Sequence, residues 1–138
     1  MRHWFIIVLV FVYATLLAAC GAEAEIDPAS IGDPGRGRAI FENGTELVRT
    51  TCTKCHSLDG TVPADPRHPR RLAPSLLGVS ARASDRAQQL GAVEYIRQSI
   101  LDPSAYIVEG YEDDMDKGYK YGLSEEEVDD LVAFLLTQ

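Results

Sequence analysis

The sequence predicts an all-α fold, one small helical domain behind a hydrophobic leader. Two segments, Ala92 to Leu101 and Val128 to Leu135, carry apolar residues at helical spacing, and the chain offers no strands alternating with helices. The length, 138 residues, is about that of one domain. Seventeen of the first twenty residues are hydrophobic, against only 46 of the remaining 118. So modest a core needs a disulfide set, a metal or a cofactor to hold it together. Three cysteines make no disulfide framework. A net charge of -8 argues against nucleic acid as a partner.

Residues 1–19 read as an export signal: Met1-Arg2-His3, an apolar run from Trp4 to Leu17, then Ala18-Ala19-Cys20 before polar sequence. As a helix, Trp4 to Ala19 rises about 24 Å, short of a ~30 Å hydrocarbon core, which favours cleavage over spanning. Leu17-Ala18-Ala19-Cys20 resembles the bacterial lipoprotein box, which implies cutting before Cys20 and acylation of that cysteine. The alternative is an uncleaved anchor in which Cys20 is a small apolar residue. Both readings export the chain and keep it at a membrane. Residues 20–33 are small, acidic and aperiodic, with Pro28 and two glycines, and read as a tether. The working domain is then 34–138.

Within that domain, Ala92 to Leu101 presents Val93, Ile96 and Ile100 on one face and ends at Asp102-Pro103. The last helix opens with a capping box, Ser124 and Glu127, and Leu123 is placed to meet Val128 as a hydrophobic staple. Glu125, Glu126 and Glu127 put negative charge where the helix dipole favours it.

The chemistry is concentrated in Cys52-Thr53-Lys54-Cys55-His56. This C-x-x-C-H run reads as the attachment site of one covalent c-type haem: two thiols three positions apart add to the vinyl groups, and His56 reaches the iron. A redox dithiol wants a βαβ setting that the chain does not offer. A zinc knuckle wants a second ligand pair, and a plain disulfide leaves His56 and the thin core unexplained. Cysteine use then closes, with Cys20 for lipid and Cys52 and Cys55 for haem.

With that motif in place, the stretch from Asp33 to Gln138 resembles class I cytochrome c. The resemblance implies a small helical domain wrapped around the haem, in which an N-terminal helix crosses a C-terminal one. Gly37 and Phe41 match the first helix, Leu131 and Phe134 the second. The segment Gly110-Tyr111-Glu112-Asp113-Asp114-Met115 resembles the distal segment of the family and implies Met115 as the second axial ligand of the iron, opposite His56. The family usually places Pro after this Met; here Asp116 follows, which predicts a softer loop. His68, between Pro66 and Pro69 in an arginine-rich turn, is the rival ligand, and the exposed composition of that turn speaks for a solvated histidine. Pro74 resembles the family proline whose carbonyl accepts the axial histidine's N–H; eighteen residues separate it from His56, longer than is common, which points to an insertion between Asp59 and Arg71. Tyr95, Tyr106 and Tyr111 are candidates to pack at the porphyrin or to bond a propionate, with an ordinary core role as the commoner outcome.

The expected function is single-electron transfer by a membrane-tethered mono-haem cytochrome that is not an enzyme. It works exported, on the periplasmic side or the cell exterior, with redox proteins as partners, as a carrier on a leash or as a subunit of a respiratory or photosynthetic complex. The distal segment resembles that of cytochrome c domains attached to terminal oxidases and quinol-oxidising complexes. Glu109, Glu112, Asp113, Asp114 and Asp116 predict a negative surface near the haem that steers a positive partner, with a merely solvated loop as the alternative. Arg67, Arg70 and Arg71 form an opposing basic knot. A haem-based gas sensor, in which Met115 leaves the iron readily, is the alternative function.

Overall fold

A computed structural model describes residues 26–61, 73–86 and 90–138. The export signal, Cys20, His68 and the knot of Arg67, Arg70 and Arg71 lie outside the described residues. Among the described residues there are five α-helices, α1 Pro34–Asn43, α2 Val79–Arg86, α3 Ala92–Leu101, α4 Tyr119–Gly122 and α5 Glu125–Leu136, and no strand.

Each end of α1 is written locally. Asp33 caps it by accepting from the N–H groups of Gly35 and Arg36, Pro34 supplies a preset φ at the first position, and Gly44, at φ 75°, ends it. On α5 the Ser124 hydroxyl accepts from Glu127 N–H while the Glu127 carboxylate accepts from Ser124 N–H, so the capping box predicted from the sequence is formed in full. Replacing Ser124 with alanine is expected to cost about 1 kcal/mol. A thermal melt of the whole protein checks this as a fall of roughly 4–8 °C.

The frame is the crossing of α1 on α5. A Cβ on Gly37 would sit 1.9 Å from the carbonyl oxygen of Asp130, so only glycine permits this approach. One turn on, the Phe41 ring meets Phe134 with centroids 5.5 Å apart, tilted, and fills the space beside the crossing. Asp130 is buried on α5 and fully engaged: it accepts from Asp33 N–H at 2.7 Å and from Arg36 Nη2 at 3.1 Å, while Arg36 Nε lies 2.9 Å from its second oxygen. Helix α3 packs on α5 through Ile96 and Ile100, as its spacing predicts, and α2 closes the remaining side with Val79 and Ala83. Tyr95 is buried beside Ile96, more deeply than Val93.

The structure narrows the tether. Pro28–Ser30 forms a 3-10 turn capped by Asp27 and packed on α5, Ile31 lies against the core, and a Cβ on Gly32 would meet Asp129 backbone at 2.6 Å. Residues 27–32 therefore belong to the folded body. Small, aperiodic composition is consistent with a linker, yet here it serves a close backbone contact. No helix among the described residues is long and apolar enough to cross a membrane.

Candidate haem site

Between α3, α5 and the loops lies a largely apolar cavity of about 490 Å³. Cys52, Cys55, His56, Pro74 and Met115 all line it, so residues up to sixty-three positions apart in the chain converge on one space. Phe41, Tyr95, Ile100 and Leu131 supply apolar wall from the helices.

The C-x-x-C-H run sits on a 3-10 turn, Cys52–Lys54, whose carbonyl at Cys52 accepts from both Cys55 N–H (3.1 Å) and His56 N–H (2.8 Å). This tight turn brings both sulfurs and the imidazole to the same wall. The cysteines are not joined to each other. Burial pushes the Cys52 thiol up to about 11, so it is protonated at neutral pH, the reverse of the depressed pKa that makes a redox dithiol reactive. Cys55 is exposed, which leaves that edge of the cavity open to solvent.

His56 Nδ1 lies 2.8 Å from the carbonyl oxygen of Pro74. A carbonyl only accepts, so Nδ1 carries the proton and donates, and Nε2 keeps its lone pair. Burial lowers the imidazole's pKa, partly opposed by the Pro74 carbonyl, and so favours the neutral form that binds metals. The Pro74 segment is itself held. Leu76 N–H donates to Ser57 O at 2.8 Å, Ser57 and Ser75 hydroxyls lie 3.1 Å apart, and Arg82 donates to Ser75 O at 2.8 Å and also to Leu77 O. This clamp around Pro74 is not visible in the sequence, where Ser57, Ser75 and Arg82 form no motif.

Met115 is partly buried against the core. Tyr95, Tyr106 and Tyr111 also line the cavity, with Tyr106 edge-on to Tyr95 at 5.7 Å. Tyr119 is a wall residue the sequence reading misses: it is buried, and its hydroxyl donates to Thr50 O at 3.2 Å. Its burial raises the phenol's pKa, so the hydroxyl stays a donor. The acidic residues Glu109, Glu112, Asp113, Asp114 and Asp116 are exposed, but Lys117 lies 2.8 Å from Asp113 and offsets part of their charge. Among the described residues no three His, Cys, Asp or Glu side chains form a metal cluster.

Unpaired thiols on one turn, a neutral imidazole with a free Nε2, a thioether and an apolar cavity make a donor set suited to a covalently attached porphyrin. Compared with known families, residues 41–138 match the family model for cytochrome c. No curated protein matches the chain.

Proposed function

The chain belongs to the cytochrome c family, whose members bind a covalent c-type haem and use it for electron transfer, and on that footing we propose that it is a membrane-tethered mono-haem electron carrier with His56 and Met115 as axial ligands. When bound, the haem iron supplies a one-electron ferric/ferrous couple. Everything else follows from the chain. Cys52 and Cys55 would hold the porphyrin by two thioether bonds, which would keep the group from exchanging. Pro74 fixes the tautomer of His56 and raises its basicity as a ligand, while the thioether of Met115 favours a higher potential than a second imidazole would. The apolar wall from the helices would lower the local dielectric around the group and limit reorganisation as charge changes.

The single observation that carries this reading is the His56–Pro74 contact, because it leaves Nε2 unprotonated on the wall that also bears both thiols. Cys20 is the proposed lipid attachment point and holds the domain at the outer face of a membrane. Seven residues, 20 to 26, separate Cys20 from the capped turn at Asp27, and a chain of that length spans at most roughly 25 Å. So short a leash favours a fixed place beside a membrane redox complex over long-range shuttling. The exposed acidic loop around Met115 is the proposed docking face for a basic redox partner; transfer rates should then fall as ionic strength rises.

Mass spectrometry tests the core of this. Made in a host that attaches c-type haem, the mature protein should exceed its polypeptide-plus-lipid mass by one haem, and Cys52→Ala with Cys55→Ala should remove that excess. A wild-type mass without haem would overturn the assignment.

A further inference from the structure

Met115 sits in segment 106–118, which contains no helix. Its hydrogen bonds among the described residues are mostly internal: Tyr111 N–H to Val108 O, Asp114 N–H to Glu112 O, and Gly118 N–H to the Asp116 carboxylate at 2.8 Å. The last of these closes a turn at Asp116, the residue that stands where the family usually places proline.

Two ties flank Met115 and reach neighbouring structure. Upstream, the Ser104 hydroxyl donates to the Asp113 carboxylate at 3.0 and 3.1 Å, and Lys117 Nζ approaches the same carboxylate at 2.8 Å. Ser104 belongs to the 3-10 turn Pro103–Ala105, which is seated by buried Pro103 at the end of α3. Downstream, the buried Tyr119 ring begins α4 and its hydroxyl reaches Thr50 O, two residues before Cys52.

We propose that Asp113 and Tyr119 are positioning residues for the Met115 sulfur, pinning a loop that has no regular structure of its own. The inference rests on the reading of Met115 as axial ligand. Only five residues, 114 to 118, lie between the pins, so fixing both ends sharply limits how far Met115 can swing. An exposed ion pair alone would do little. Asp113, however, gathers donors from two parts of the chain, which makes it a cross-brace, and the Tyr119 bond joins the Met115 side of the cavity to the cysteine side. Neither residue touches the iron in this scheme; both act by holding Met115 against competing ligands.

The test uses the full-length haem-loaded protein in its oxidised form, titrated with imidazole, which competes with Met115 for the iron and abolishes the sulfur-to-iron charge-transfer band. Asp113→Ala and Tyr119→Phe are each expected to tighten imidazole binding about five-fold, the equivalent of one net hydrogen bond. Ser104→Ala should weaken the loop in the same direction and add little on top of Asp113→Ala, because the two share one contact. Arg36→Met serves as the control: it breaks the distant Asp130 ion pair, so it should lower the unfolding midpoint and leave imidazole affinity unchanged. If Asp113→Ala and Tyr119→Phe bind imidazole as the wild type does, or if Arg36→Met tightens binding as much as they do, the positioning role is overturned. Met115→Ala separates this failure from that of the ligand assignment. A wild-type protein that lacks the band, or a Met115→Ala variant that keeps it, overturns the ligand itself; a band lost only in Met115→Ala, with unchanged pin variants, overturns the pins alone.

Discussion

Carrying alanine at Cys52 and Cys55 and purified free of haem, the chain is expected to lose its cooperative unfolding transition. The cavity measures about 490 Å³ and is walled by residues that elsewhere count as core, Phe41, Tyr95, Ile96, Ile100, Leu131 and Leu135 among them. Leaving such a volume empty, at about 24 cal/mol per Å³, is a cost on the order of 10 kcal/mol. Partial collapse and water at the open edge reduce that figure. A domain of this size nevertheless has only about 5–15 kcal/mol in total, so the empty form lies at or below the threshold of stability. The α1–α5 crossing is fixed by contacts outside the cavity, including the Arg36–Asp130 tie, and is the part that should retain fluctuating helix. Far-ultraviolet circular dichroism should show reduced helix and a broad, shallow melt. A sharp two-state melt near the wild-type midpoint would show that the helices do not depend on the group they surround.

This dependence explains which parts of the molecule are legible in one sequence. The capping box of α5 and the apolar faces of α3 and α5 are consequences of residues three or four apart, and they appear in the structure as the spacing predicts. The C-x-x-C-H run is equally local, because one turn must present two sulfurs and an imidazole together. Helix α2 is harder to see: it is eight residues long, buries only Val79 and Ala83, and is stabilised by what it covers more than by propensity. Segment 27–32 reads as linker because proline, glycine and small residues also suit a close backbone contact, and the contact that decides between them lies on α5, about a hundred residues away. The clamp of Ser57, Ser75 and Arg82 around Pro74, and the bond from Tyr119 to Thr50, are pairings across the cavity. They exist because a large group must be surrounded, and no local pattern encodes them.

Gly37→Ala is expected to be among the most damaging single substitutions outside the cavity. Two effects oppose each other. Alanine is the better helix former, and in an exposed helix it would gain up to about 1 kcal/mol over glycine. At position 37, however, the added Cβ would lie 1.9 Å from Asp130 O, 2.5 Å from Asp130 C and 2.8 Å from Phe134 Cβ. Two of these atoms are backbone within α5, so no side-chain rotation relieves the contact. The two helices would have to separate by more than an ångström, and that movement would stretch the Asp33 and Arg36 bonds to Asp130 and open the Phe41–Phe134 packing together. Overpacking of this kind costs about 1–3 kcal/mol and more where backbone must move. A net loss of about 3 kcal/mol corresponds to a fall in the melting midpoint of more than about 10 °C. Gly35→Ala, two residues earlier in the same helix, provides the comparison: its Cβ would meet only the Asp33 side chain, at 3.1 Å, so its effect should be small. Equal midpoints for the two variants would mean that the helix crossing is looser than the contacts at Gly37 require.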